Sequence, residues 1–216
     1  MDIKAILQGD FMNGKNICVI LCHPDESRNV GSVCRAMANN DVFDLRIVGS
    51  CTDYDEEQVV TLAHAEQAIK IWKDVRFFDD LKSAISDCTI AAGTTRRRGK
   101  KRKDFLMLPE EFADLVSRIT DGAEVASETD IASGTKLATT KLAVIFGNER
   151  TGLTDDELEN CTVGINIPSS NDFGSLNLSH AVQVILYVLF RKFSFEEGRN
   201  ISGYTPINLN RLDKTV

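Results

Sequence analysis

Two spacings of apolar residues alternate along this chain, and the alternation defines its elements. Residues 16–22 read Asn-Ile-Cys-Val-Ile-Leu-Cys, an unbroken apolar run of the kind a strand carries when both its faces are covered. Residues 43–48, 88–92, 141–146 and 162–167 read as further strands. Between the runs the spacing turns helical: residues 29–37, with Asn29 positioned to cap the first turn, then 61–71 and 79–85. Pro109-Glu110-Glu111 opens a further helix, with proline at its first position and acids near the positive end of the helix dipole. Thr154 followed three residues later by Glu157 fits a capping box. Residues 121–140 mix Gly, Ser, Thr and acids without a period and read as a loop. A long helix is expected from Leu176 to about Phe193.

Strands and helices in this alternation predict an α/β fold, a mostly parallel sheet with helices on both faces. The main domain is expected over residues 16–193, with an N-terminal extension (1–15) and a C-terminal tail (194–216). In the last helix Leu178, Val182, Ile185 and Leu189 form one stripe, widened by Ala181, Val184 and Val188. A stripe of that width suits either complete burial in one monomer or contact with the sheet on one side and a second subunit on the other.

Composition narrows the class. With 216 residues and 43% hydrophobic content, the chain can bury one substantial core. Six cysteines form no Cys-x-x-Cys pair and lie mostly in apolar runs, so they read as buried free thiols of a reducing cytoplasm rather than a disulfide framework or a zinc site. The start lacks a basic segment leading into an apolar one, and the longest apolar candidate, residues 181–190, is too short to span a membrane. A soluble cytoplasmic protein is expected. The net charge of −7 speaks against a polyanion partner until its distribution is considered. Residues 96–103 carry seven cations in eight positions, and the rest of the chain holds 18 basic against 32 acidic residues. One dense basic segment on an acidic body suggests a local docking site for RNA, with a solvated loop as the plain alternative.

In open α/β sheets, ligands sit beyond the carboxyl ends of the strands. Here four strands lead into polar loops: residues 23–31, Gly93-Thr94-Thr95-Arg96, residues 147–152, and residues 168–177. None matches Gly-x-Gly-x-x-Gly or a P-loop, which removes support for a nucleotide-dependent oxidoreductase or an NTPase. His23, His64 and His180 compose neither a triad nor a metal set, and no metal is expected.

Three of these segments carry a resemblance. Asn29-Val30-Gly31 with Arg35-Ala36-Met37 is similar to the first signature of the SpoU/TrmH family of the SPOUT superfamily. Residues 143–153, including Gly147-Asn148-Glu149-Arg150-Thr151-Gly152, resemble the second, and residues 167–183, with Ser175-Leu176-Asn177, the third. They occur in the family's order. The Glu-Arg-Thr-Gly-Leu-Thr segment from Glu149 and the final helix look most like the TrmJ-type enzymes, which methylate the pyrimidine ribose at position 32 of tRNA. The resemblance implies a C-terminal trefoil knot, S-adenosylmethionine as methyl donor, a homodimer, and transfer to an RNA ribose 2′-hydroxyl.

Carried onto this chain, the resemblance makes Arg35 the essential catalytic arginine, on a helix where Gly31, Ser32, Ala36 and Ala38 leave room for RNA. An arginine with a free pKa of about 12.5–13.8 is an unlikely base, so Arg35 either deprotonates with help from substrate phosphate or orients by hydrogen bonding. Asn29 matches an asparagine near the reacting centre, and helix capping is an equally good reading. Glu149 is expected to orient groups rather than to act as base; a solvated glutamate is the alternative. Ser175 and Asn177 match a pair that holds the active-site loop, with helix capping by Ser175 as the rival. Donor contacts are implied for Thr94, Thr95, Arg96, Gly147, Ile167, Gly174, Ser175 and Leu176. RNA contacts are implied for Arg35, Arg97, Arg98, Lys100, Lys101, Arg102, Lys103 and Arg150.

Two departures bear on the substrate. Asp25-Glu26-Ser27-Arg28 stands where a shorter linker is usual and adds acid near the expected RNA site, and the segment after Phe193 is short for the TrmJ branch. Ribosomal RNA or another tRNA ribose is therefore an alternative target. A non-catalytic RNA-binding dimer and a small-molecule methyltransferase are the rival classes.

Overall fold

The computed structural model describes residues 14–96, 106–120, 141–170, 172 and 174–194. Its centre is β1 (Ile17–Cys22), in which all six side chains are buried. Strand geometry sends alternate side chains to opposite faces. Ile17, Val19 and Leu21 enter one apolar cluster, and Cys18, Ile20 and Cys22 enter the other. That is why the run shows no polar position.

Around β1 lie β2 (Asp44–Val48), β3 (Arg76–Phe78), β4 (Ile90–Thr94), β5 (Leu106–Met107), β6 (Leu142–Phe146) and β7 (Val163–Ile165). They form one sheet in the order β3-β2-β1-β6-β4-β7-β5. Every pairing is parallel, with Val19 opposite both Leu45 and Val144. β6 and β7 are not added at an edge. β6 enters between β1 and β4, and β7 between β4 and β5.

Helices cover both faces, as the alternation predicted. On the larger face lie α1 (Ser27–Ala38), α2 (Glu56–Ala63), α3 (Glu66–Lys73), α5 (Pro109–Thr120) and α7 (Leu178–Ser194); α4 (Leu81–Ala84) and α6 (Asp155–Glu159) cover the other. The α7 stripe is buried at Leu178, Val182, Ile185 and Leu189, whereas Val184 is exposed, as is Tyr187. The Thr154–Glu157 capping box forms as expected.

Several expectations are corrected. α1 starts at Ser27, its N-cap position is Glu26, and Asn29 is inside the first turn, so Asn29 is no cap. The helix expected over residues 61–71 is two, divided at His64, whose φ of 58° is outside the helical region. α7 starts at Leu178, and Asn177, not Ser175, serves its first turn, accepting from the Ser179 amide at 2.9 Å. Gly31 does not leave room for RNA: a Cβ there would stand 2.3 Å from the Val59 carbonyl oxygen, so its smallness serves the contact of α1 with α2. The expected loop at 121–140, most of the N-terminal extension and nearly all of the tail lie outside the described residues.

The rim where the strands begin carries an ionic cluster. Arg46 on β2 is only 1% exposed and donates to Asp44, to Asp87 and to the Ala84 carbonyl. Lys141 pairs with both acids, and Arg76 with Asp44. Burial opposes charge on Asp44, but hydrogen bonds from Arg46, Arg76 and Lys141 outweigh it and hold the carboxyl at about 2. The sign follows: a depressed carboxyl adds stability that is complete above its ordinary value of 3.8 and is lost as pH falls towards 2. Replacing Arg46 by Ala leaves two acids without their buried partner and is expected to lower unfolding free energy by about 3 kcal/mol in urea titration. Between pH 4 and 2 the wild type is expected to lose more stability than Asp44→Asn.

Candidate active site

At the opposite rim the carboxyl ends of β4, β6 and β7 open into a cleft of about 370 Å³. Parallel strands bring the loops after them to one edge. The β4 and β6 ends are tied by the Thr94 hydroxyl, which donates to the Ile145 carbonyl at 3.0 Å. The Thr95 amide donates to Ile165 at 2.9 Å and ties β4 to β7. Beyond β7 the Ser169 hydroxyl donates to the Gly174 carbonyl at 2.7 Å.

Two glycines shape the walls. A Cβ at Gly147 would stand 2.1 Å from backbone atoms of Gly152 and Leu153, so the turn after β6 folds tightly on itself. Within that turn Gly152 has φ of +70°, its amide donates to the Asn148 carbonyl at 2.8 Å, and Asn148 Oδ1 accepts from the Arg150 amide. A Cβ at Gly174 would meet the Arg96 guanidinium at 1.9 Å, so Arg96 lies over that glycine.

Beside the cleft the three signature segments are joined by one line of hydrogen bonds. Glu149 accepts from the Asp25 amide on one oxygen and from the Asn29 side-chain amide on the other, both at 2.8 Å. Asn29 Oδ1 accepts from Asn177 Nδ2 at 2.9 Å. Asn177 Oδ1 then accepts from the Ser179 amide and hydroxyl. A second tie runs through Asp25, which accepts from Asn148 Nδ2 at 2.8 Å and pairs with Arg150 at 2.9 Å.

All eight residues expected at a donor, from Thr94 to Leu176, line the cleft, and Glu149 and Arg150 line it as well. Asn29 and Asn177 stand beside it, held by Glu149. Ser175 lines it with an exposed side chain. Arg35 does not line it. The residue is exposed on α1, and its side chain has no hydrogen bond or ion pair with the described residues. Arg97, Arg98, Lys100, Lys101, Arg102 and Lys103 lie outside the described residues.

Sequence reasoning missed two parts of the site. Asn148 organises the turn and reaches back to the His23 carbonyl. Asp25 reads as stray acid in the sequence but is the partner of Arg150 and Asn148. The signal for Asn148 was available in part: an Asx residue beside glycine in a loop is a common turn maker. Among the described residues no group of His, Cys, Asp and Glu is arranged to hold a metal ion, and no helix is long and apolar enough to cross a membrane.

A parallel sheet whose strand-end loops build a cleft beside a fixed polar network defines an α/β protein with room for a compact ligand next to hydrogen-bonding side chains. The chain belongs to the SpoU rRNA methylase family, whose model matches residues 16–187. It is 32% identical over 178 residues to the tRNA (cytidine-2′-O-)-methyltransferase TrmJ of Methanocaldococcus jannaschii, spanning 82% of this chain and 68% of that one. To the tRNA (cytidine/uridine-2′-O-)-methyltransferase TrmJ of Salmonella typhimurium it is 31% identical, over 80% of this chain and 63% of that one. The chain thus spans about two thirds of the length of these relatives. Among solved structures, a methylase-family protein from Haemophilus influenzae superposes with a TM-score of 0.69 at 31% identity, covering 93% of this chain and 76% of that one. TrmJ from Z. mobilis gives 0.65 at 26% identity, covering 81% and 68%.

Gly147→Ala is expected to force the turn after β6 open, because the clash is with backbone and not with a movable side chain. A loss of about 2 kcal/mol in unfolding free energy, with faster amide exchange at residues 148–152, is the expected readout.

Proposed function

We propose that this chain transfers a methyl group from S-adenosylmethionine to a ribose 2′-hydroxyl of RNA, and that its target is a pyrimidine of the tRNA anticodon loop at position 32. The observation that carries this reading is the convergence of three family signatures on one cleft, where Glu149, Asn29 and Asn177 are linked beside the residues expected at the donor. The cleft fits a donor of this kind: its volume lies within the about 300–1,000 Å³ usual for small-molecule sites. The residues expected to meet an adenosine, among them Thr94, Thr95, Ile167 and Leu176, line it. The names of the TrmJ relatives support tRNA as the substrate. Ribosomal RNA is the alternative, favoured by the family's own description.

The bound donor supplies a methyl group already activated by its sulfonium charge, so the protein's work is to position the acceptor and deal with its proton. Both carboxylate oxygens of Glu149 are engaged by Asp25 and Asn29, which suits a positioning residue rather than a base. Asn29 and Asn177 hold the loops around the acceptor in register. Arg35, exposed and with no side-chain partner among the described residues, is available to a substrate phosphate and to the 2′-hydroxyl. It stands outside the cleft lining, and in this reading a second copy of the chain or the RNA itself brings it to the reacting atoms. A homodimer meets that need, and the exposed Val184 and Tyr187 of α7 are apolar surface suited to it. A trefoil knot in the C-terminal part is what membership of the family supports. Cytoplasmic tRNA is the substrate pool this reading requires.

Labelled S-adenosylmethionine incubated with total tRNA and ribosomal RNA, followed by mapping of the modified nucleotide, tests the reading. Label on a tRNA position-32 ribose is expected; label on ribosomal RNA would move the substrate and keep the chemistry. No label, with donor and RNA both bound, would favour a non-catalytic binder. Arg35→Ala is expected to lower turnover by about a hundredfold or more while donor affinity by calorimetry stays unchanged. Neutralising three of the cations at 97–103 is expected to weaken RNA binding and to flatten the slope of log K against log salt by about 2.

A further inference from the structure

The ionic cluster at the amino rim of the sheet encloses two sulfurs that the proposed chemistry does not use. Cys18 on β1 and Cys88, in the turn before β4, stand with Sγ atoms 3.6 Å apart although 70 residues separate them. Their strands are not neighbours. β6 runs between β1 and β4, and at the level of Cys18 it carries Ala143, whose side chain shares the same face. A methyl group there leaves the space in which the two thiols meet. Arg46 adds a guanidinium nitrogen 3.7 Å from the Cys88 sulfur.

The two sulfurs differ in kind. Cys18 is fully buried, and its hydrogen bond with Cys88 and its burial both push its pKa up, so it keeps its proton. Cys88 is only partly buried and has its pKa lowered, first by its hydrogen bond with Cys18 and then by the charge on Arg46, against its burial and the neighbouring Asp87, whose Oδ1 lies 3.5 Å from the sulfur. A partly accessible sulfur 3.6 Å from a second thiol, with a guanidinium beside it, is the arrangement of a peroxide-sensitive pair.

We propose that Cys88 and Cys18 form a reversible disulfide when the protein meets hydrogen peroxide. The Cys88 thiolate attacks one peroxide oxygen, the O–O bond breaks, and hydroxide leaves and takes up a proton, giving a sulfenic acid at Cys88. The Cys18 thiol then loses its proton and attacks the Cys88 sulfur; the S–O bond breaks and water leaves. Two thiols and one peroxide become one disulfide and two waters, with two electrons passing from the sulfurs to the peroxide. The sulfurs must close from 3.6 Å to about 2.05 Å. Cys88 supplies that movement because it lies in a turn, its amide bonded to the Ile85 carbonyl, and not in the strand ladder.

The test treats the reduced full-length protein with a small excess of hydrogen peroxide, blocks the remaining thiols with an alkylating reagent, and maps peptides without reduction. The expected result is a cross-linked pair of peptides containing Cys18 and Cys88, restored to two free thiols by dithiothreitol. In Cys18→Ala a sulfenic acid trapped by dimedone is expected at Cys88, which reports on its reactivity even if the cross-link is absent for other reasons. In Cys88→Ser, Cys18 is expected to stay reduced. Free Cys18 and Cys88 in treated wild type would overturn the proposal. So would a cross-link elsewhere, as between Cys22 and Cys161, or oxidation of Cys88 to the sulfinic acid with Cys18 still free.

Discussion

The order of the site depends on a conflict that only one arrangement resolves. An ionised carboxylate can only accept hydrogen bonds, and the first amides of a helix can only donate. Between Glu149 and the start of α7 stand two side-chain amides, Asn29 and Asn177, each with a donor and an acceptor end. Asn29 must turn its nitrogen to Glu149, which leaves its oxygen for Asn177. Asn177 must then turn its oxygen to the helix. Neither amide can flip without setting like groups against each other. The loops after β1, β6 and β7 are thereby keyed together by polarity as well as by packing.

The parallel sheet makes such a key possible. With all strands running one way, the strand beginnings share one rim and the strand ends the other. The rims have taken different roles. At the first, Arg46 gathers Asp44 and Asp87 in a charged knot that ties β2 to the turn before β4. At the second, polar loops surround the cleft, and charge is spent on linking loops, as in the Asp25–Arg150 pair. The buried strands between carry little but aliphatic side chains and thiols, so ionic cluster and cleft are separated by an apolar layer.

Long periodic signals were legible in the sequence. Apolar runs marked β1, β4 and β6, and the stripe of Leu178, Val182, Ile185 and Leu189 marked α7. β7 is three residues long and was read only from the wider segment 162–167, whereas β5, of two residues, and β3, of three, went unmarked. The break at His64 was hidden because the residue that takes the positive φ there is a histidine, and no glycine or proline marks the place. The candidate site was legible as segments but not as geometry. Asn29 looked like a cap because the start of α1 could not be fixed to within two residues, and its true partner, Glu149, lies 120 residues away. Arg35 shows the opposite limit: the family resemblance singles it out, yet it is not among the residues that line the cleft.

The strand order has a consequence for how the molecule is made. β6 is a central strand, yet it is the sixth to be synthesised, and its two neighbours, β1 and β4, precede it by 125 and 52 residues at Ile17↔Leu142 and Ile90↔Leu142. A growing chain that has not yet released Leu142 holds both neighbours with an empty slot between their hydrogen-bonding edges. The sheet therefore cannot be completed by zipping from the amino end. Its centre closes late, and until then two unpaired strand edges face each other in the one part of the fold where the finished protein has none.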